Sequence, residues 1–330
     1  MGKKVVTIGG GAGQSQVLAG LKRVRELKDL SVTAIVTAAD SGGSSGRLRD
    51  EFGVHPWGDM LRCIVGLSDA PEELRQLFLY RFPGAGSLGQ HTVGNIILTA
   101  LNQLKGSPLE AVLALCQLLH VREMVLPVTE ASVQLCARLE DGTIVCGEHN
   151  IDAPKYDPNL HIKEVWLEPP NCMPVPGVLL AIATADLIVL GPGDLYTSIL
   201  PNLLVPGVAQ AVSQARAKKV FVCSLMTKLG ETHAFKVSDF VGLVEAHLGT
   251  RLDFVICNSA VPVPEVLEKY RGEHAFPVEV DLEIGQGDRQ VIVADVLDQG
   301  VKARHDPAKL ESQTRHMLQC LEEAAAGGCE

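Results

Sequence analysis

No two cysteines in this chain form a CxxC pair, no HExxH motif occurs, and no Cys/His cluster has the spacing of a zinc site. These gaps argue against a dedicated metal centre. The nine cysteines are an odd number scattered from Cys63 to Cys329. They read as small apolar core residues in a reducing compartment rather than as a disulfide framework. No apolar run reaches the length of a membrane span, and Met-Gly-Lys-Lys leads directly into a strand with no visible signal peptide. A cytoplasmic protein with no membrane partner is expected. Positive charge is also scarce, with 29 Lys and Arg against 39 Asp and Glu and a net charge of −10. That balance argues against nucleic acid as a partner and leaves room only for a local basic pocket. No repeat of solenoid period and no long low-complexity linker interrupts the chain.

What remains is a globular composition, 46% hydrophobic and 21% charged over 330 residues. Lys3–Ile8 reads as a strand that breaks into Gly9-Gly10-Gly11-Ala12-Gly13, and Val17, Leu18, Leu21, Val24 and Leu27 then recur at helical spacing. A second strand, Val32–Thr37, ends in Asp40-Ser41-Gly42-Gly43-Ser44-Ser45-Gly46. Helices are expected around Asp59–Leu67, Pro71–Tyr80, Thr92–Leu104, Leu109–Leu119 and Ala308–Ala325. Between about residues 125 and 170 the runs shorten and alternate. There Val133–Leu139, Asp141-Gly142 and Thr143–Cys146 read as a β-hairpin inside an inserted side lobe. Asp186–Leu190, Val220–Cys223 and Phe254–Cys257 are continuous apolar runs, as expected of strands covered on both faces. Alternating strands and helices predict a single α/β domain over residues 1–330 with a mostly parallel, doubly wound sheet and a β-rich insertion. The Ala/Gly-rich tail, 324–330, is expected to fray.

Three small-residue loops at strand ends carry the functional signal. Glycines let backbone N–H groups approach an anion, and a following helix adds its positive dipole end. Gly9–Gly13 departs from the dinucleotide fingerprint, because its third glycine position holds Gln14 or Gln16. Asp40 has three readings: a hold on ribose hydroxyls, a metal ligand, or a helix cap. Gly42-Gly43-Ser44-Ser45-Gly46 also matches the G-x-S-x-G nucleophile elbow, but several polar residues separate Ser44 from its strand and no HGGG loop occurs. Gly191-Pro192-Gly193-Asp194, continuing to Ser198, is the third loop. His91-Thr92-Val93-Gly94-Asn95 opens a helix, where Asn95 offers an amide to a base or sugar and Thr92 offers an ordinary cap.

Taken together, Ile8–Gly13, Asp40–Leu48, Trp57–Met60, His91–Asn95, Gly191–Leu204 and Leu225–Thr227 through Gly230–Thr232 resemble the gluconeogenesis-factor family. That family is related to 2-phospho-L-lactate transferase and is called CofD-like. The resemblance spans most of the chain in order. It implies a Rossmann-like three-layer α/β/α fold and a cytoplasmic protein needed for cell shape and for growth on gluconeogenic carbon sources. It also implies a cleft for UDP-sugars such as UDP-N-acetylglucosamine, or for an NAD-like dinucleotide. The related transferases use magnesium to move a phospholactyl group from a guanosine diphosphate derivative to a deazaflavin. This chain departs from the family at Ala12, where threonine is usual, at Ser41, where a second aspartate is common, and at Leu61-Arg62, where Arg-Asn is usual.

The resulting expectation is a nucleotide-ligand binder of regulatory type. Backbone donors of Gly10–Gly13 and Gly42–Ser44 hold a diphosphate, Asp40 and Asn95 contact ribose or base, and Gly193, Asp194 and Ser198 line the opposite wall. Arg304 brings a cation from the C-terminal segment. The rival is an enzyme that transfers a phosphate-linked group, with Asp40 and Asp59 holding magnesium. With Ser41 in place of an aspartate and no other acidic cluster in the loops, that reaction is expected to be absent or slow. A nicotinamide dehydrogenase is disfavoured by the broken fingerprint. A homo-oligomer and protein regulators stay open as further partners.

Overall fold

The apolar run after Lys3 becomes β1 (Lys3–Gly9), and the spaced apolar residues after it become α1 (Gly11–Leu27). Val17, Leu18, Leu21 and Val24 of α1 are buried, while Leu27 at its end is exposed. Next come β2 (Leu30–Val36), α2 (Gly43–Phe52), α3 (Gly58–Leu67), α4 (Glu72–Leu79), α5 (Val93–Lys105) and α6 (Pro108–Leu118). This computed structural model describes residues 2–283 and 289–326, with side chains of the last helix described to Glu322. Residues 327–330 of the tail expected to fray lie outside the described residues, whereas 324–326 continue the last helix.

Met124–Pro127, read from sequence as the edge of the side lobe, is instead β3 and pairs parallel with β2. The lobe proper begins later. Its β4 (Gln134–Leu139) pairs antiparallel with β5 (Ile144–Cys146) and with β6 (Ile162–Glu168). A short helix, α7 (Glu148–Asp152), lies between β5 and β6. The hairpin register sets Cys136 opposite Cys146, and the two are joined by a disulfide. This corrects the reading of all nine cysteines as free core thiols. Cys63, Cys116, Cys172, Cys223 and Cys257 are free and buried.

The α/β alternation then resumes with α8 (Pro176–Thr184), β7 (Leu187–Leu190), α9 (Leu200–Leu203), α10 (Val208–Gln214) and β8 (Lys218–Val222). After these come α11 (Val237–Leu248), β9 (Phe254–Asn258), α12 (Pro264–Gly272), β10 (Gln290–Ala294), the two-residue pair β11 (Leu297–Asp298) and β12 (Arg304–His305), and α13 (Pro307–Ala326). Seven strands form one parallel sheet in the order β10-β9-β8-β7-β1-β2-β3. One apolar core packs α1, α3, α5, α6 and α13 on one face, and a second packs the lobe with α8, α10 and α11 on the other. Burial on both faces explains why the central strands read as continuous apolar runs. No single helix among the described residues is long and apolar enough to cross a membrane.

Candidate nucleotide cleft

Strand order reverses direction between β1 and β7, so the loops that follow them diverge and leave a crevice at their carboxyl ends. Gly10 precedes α1 in an extended conformation, and Gly11 has φ +64°, a region that favours glycine. Gly13 lies against the third loop: a Cβ built there would sit 2.6 Å from the Pro192 carbonyl carbon and 3.0 Å from the Gly193 nitrogen. The first and third loops therefore touch through bare backbone. The first-turn N–H groups of α1 and α2 have no intrahelical acceptor and are suited to an anion.

Two adjoining cavities open from this point. The first, of about 430 Å³, takes in Gly10–Gly13, Asp40, Gly42–Ser45, Asp59, Asn95 and Ser198. The second, of about 580 Å³, takes in Pro192, Tyr270, Lys302 and Arg304. Ala12, Gly13, Asp152, Gly193 and Asp194 border both. Two expected residues stand behind the walls. Gly9 ends β1, where its carbonyl accepts from Thr37 N (2.9 Å) and Asn202 Nδ2 (3.0 Å). Gly191, at φ +74°, shapes the third loop without lining either cavity.

Asp40 caps no helix. Gly42 is the cap position of α2, and the Asp40 carboxylate accepts from Gly42 N at 2.9 Å, within its own loop. Ser41 ties this loop to the side lobe: its N–H donates to Glu148 Oε2 (3.1 Å) and its Oγ accepts from His149 N (2.8 Å). Contrary to expectation, the first cavity holds an acidic cluster. Asp59, Glu148 and Asp152 join Asp40 and Asp194 from outside the loops. Burial, reinforced by the Asp40 charge, raises Asp59 to about 7 and Glu148 to about 8. Arg62 also lines this cavity, with Nη1 3.6 Å from Asp59 Oδ1, so a basic contact persists where the sequence departs from the family it resembles.

These shifts make stability depend on pH. Between the ordinary carboxylate range and about pH 8, the folded protein keeps protons on Asp59 and Glu148 that the unfolded chain has released. Stability from these two groups therefore falls as pH rises through that window. Asp59→Asn is expected to flatten the fall, read as the change in urea midpoint between about pH 5 and about pH 8. An unchanged slope would remove Asp59 from the cluster's electrostatics.

At the base of α2, Ser44 Oγ lies 3.0 Å from His91 Nδ1 and accepts from Asn95 Nδ2 at 3.1 Å. All three residues are buried, and Thr92 caps α5 by accepting from Asn95 N. Burial, helped by Arg47 and Arg81 and opposed by Glu51, lowers His91 below the usual histidine value. Beyond Asp194, Lys228 Nζ sits among Asp152, Asp194 (2.9 Å) and the buried Glu231 (2.8 Å). Burial works against the Lys228 ammonium, but the three carboxylates outweigh it and push its pKa up.

Several lining residues went unread in the sequence. Glu148 and Asp152 follow a hairpin with no motif of their own, and Tyr270 is a single aromatic in α12. Lys302 stands two residues before Arg304, a nearby signal that was missed.

A parallel sheet with backbone-lined loops at its switch point defines an open, doubly wound α/β protein. More particularly, the chain belongs to the CofD family and, within it, to the gluconeogenesis factors. The family model described as "2-phospho-L-lactate transferase CofD" matches residues 5–297. The gluconeogenesis factor of Bacillus subtilis is 41% identical over 312 residues, covering 94% of this chain and 96% of that protein. The gluconeogenesis factor of Halalkalibacterium halodurans is 41% identical over 315 residues, covering 93% and 94%. A crystal structure of a Bacillus halodurans protein, 39% identical, superposes with a TM-score of 0.87 over 95% of this chain and 99% of that one.

Proposed function

We propose that the protein is a cytoplasmic regulatory binder of a nucleotide sugar, acting in the control of carbon metabolism and cell shape. One observation carries this reading: a bare backbone ridge divides a mainly acidic cavity from one that adds an aromatic ring and further cations. On one side lie Lys302, Arg304 and the ring of Tyr270, with Glu273; on the other lie Asp40, Asp59 and Glu148, with Arg62, while Asp152 and Asp194 border both. A nucleoside diphosphate sugar matches that division. Its base and phosphates take the basic, aromatic side and the backbone donors of Gly10–Gly13 and Gly193. Its hydroxyls take the acidic side, because carboxylates accept hydrogen bonds and repel a further anion. An NAD-like dinucleotide would use the same ridge, with its second ribose among the acids.

A thermal-shift series with UDP, UDP-glucose, UDP-N-acetylglucosamine, GDP and NAD tests the reading, since a ligand of the native state raises apparent stability. Arg304→Ala is expected to weaken UDP binding about tenfold or more by calorimetry, the scale of a charge-assisted hydrogen bond. No shift with any of these ligands would end the proposal.

The acidic cluster supports a second reading, a magnesium-dependent transferase of a phosphate-linked group. Among the described residues neither Asp40 nor Glu148 has a salt-bridge partner, and the Asp40 charge helps to raise both Asp59 and Glu148. Oxygen donors of this kind fit a hard divalent ion, with Asp40 and Asp59 as its holders and the ion neutralising charge on the transferred group. Nucleotide release from GDP- or UDP-linked donors with magnesium, proportional to protein and abolished by Asp40→Asn, would establish it. Absence of turnover leaves the binder.

A further inference from the structure

The side chain of Asn95 is the unexplained group of this cleft. Its Nδ2 is committed to Ser44 Oγ, yet its Oδ1 is buried and has no hydrogen-bond partner among the described residues. Helix capping does not account for it, because Thr92 caps α5 and only the Asn95 backbone takes part. An unpaired amide oxygen in the interior is costly, and native folds retain few of them.

The amide is held in this orientation by its neighbours. Ser44 Oγ stands between His91 Nδ1 and Asn95 Nδ2; with the Ser44 hydroxyl turned to Nδ1 of a neutral His91, its oxygen accepts from Asn95 Nδ2. In that arrangement Asn95 Oδ1 is an acceptor with no donor among the described residues. Both Ser44 and Asn95 line the acidic cavity, on the side away from Tyr270 and Arg304.

We propose that Ser44, His91 and Asn95 form a subsite that reads a neutral hydrogen-bond donor, a hydroxyl or amide N–H, on the group appended to the nucleotide's diphosphate. Asn95 makes the contact and sets specificity; Ser44 and His91 are positioning residues that fix its amide. The subsite rests on the nucleotide-sugar reading above and adds to it which part of the ligand is selected. A group that is anionic or lacks a donor, such as a bare terminal phosphate, leaves Oδ1 unpaired and gains nothing there.

The test is calorimetric, on the full chain, with UDP, UDP-glucose and UDP-glucose analogues each lacking one hydroxyl. The readout is the ratio of UDP-glucose to UDP affinity. Asn95→Ala is expected to lower that ratio about tenfold. One deoxy analogue should lose a similar factor against the unsubstituted protein and nothing further against Asn95→Ala. Ser44→Ala should lower the ratio by less, since the acceptor persists but turns freely. Asn95→Asp, which keeps an oxygen acceptor beside Ser44, should restore most of the loss.

An unchanged ratio in Asn95→Ala, with UDP still bound by the unsubstituted protein, overturns the subsite alone. A lowered melting temperature with an unchanged ratio assigns Asn95 to a structural water and also overturns it. Failure of the unsubstituted protein to bind UDP or UDP-glucose overturns the nucleotide reading, and the subsite falls with it.

Discussion

Gly13→Ala should unfold the protein at a markedly lower temperature and abolish its nucleotide-induced stabilisation. The added methyl has nowhere to go: its carbon would sit 2.6 Å from the Pro192 carbonyl carbon, and that neighbour is backbone, which cannot rotate aside. Overpacking of this kind costs about 1–3 kcal/mol. The first and third loops must part, and with them the donors that border both cavities. Gly242→Ala is the matching control. Nothing lies within 4 Å of a Cβ there, inside α11, so it should stabilise by about 0.5–1 kcal/mol. Thermal melts of both variants with and without UDP check the pair. Equal stability of the two would show that the loops do not depend on bare backbone contact.

Lys228→Met should cost about 3 kcal/mol at pH 8, because it strands the buried Glu231 beside Asp152 and Asp194. The loss should shrink as pH falls, since burial already pushes the Glu231 carboxyl up and a protonated Glu231 needs no cation. The double variant Lys228→Met, Glu231→Gln should recover much of the stability at pH 8. Urea unfolding of the two singles and the double forms the cycle that isolates the pair. Additive losses would show that Lys228 and Glu231 do not depend on one another.

The parallel sheet was legible because its central strands are buried on both faces and break into glycine loops, which composition alone reports. Asp40 and the second loop were legible for the same local reason, and Asn95 because His91-Thr92 marks the start of a helix. Met124–Pro127 was not: four residues ending in proline carry no period, and the alternating lobe follows at once. Glu148 and Asp152 were hidden because the path of a hairpin, rather than any local pattern, carries α7 to the cleft. The Cys136–Cys146 pair was hidden by the turn. Counting outward from a two-residue Asp141-Gly142 turn sets Cys146 opposite Ala137, whereas the observed register has one more residue in the loop and sets it opposite Cys136.

The central position of β1 bears on how the chain is made. It leaves the ribosome ahead of the other strands of this sheet, and β2 follows soon after to pair with one edge. The partner for its other edge, β7, is synthesised about 180 residues later. At translation speeds of roughly 5–20 residues per second, that edge waits about ten to forty seconds. Throughout the delay, Val5–Ile8 presents unpaired backbone groups flanked by apolar side chains, the combination that invites wrong pairing. The same strand that anchors the finished cleft is therefore the segment of the nascent chain most in need of shelter.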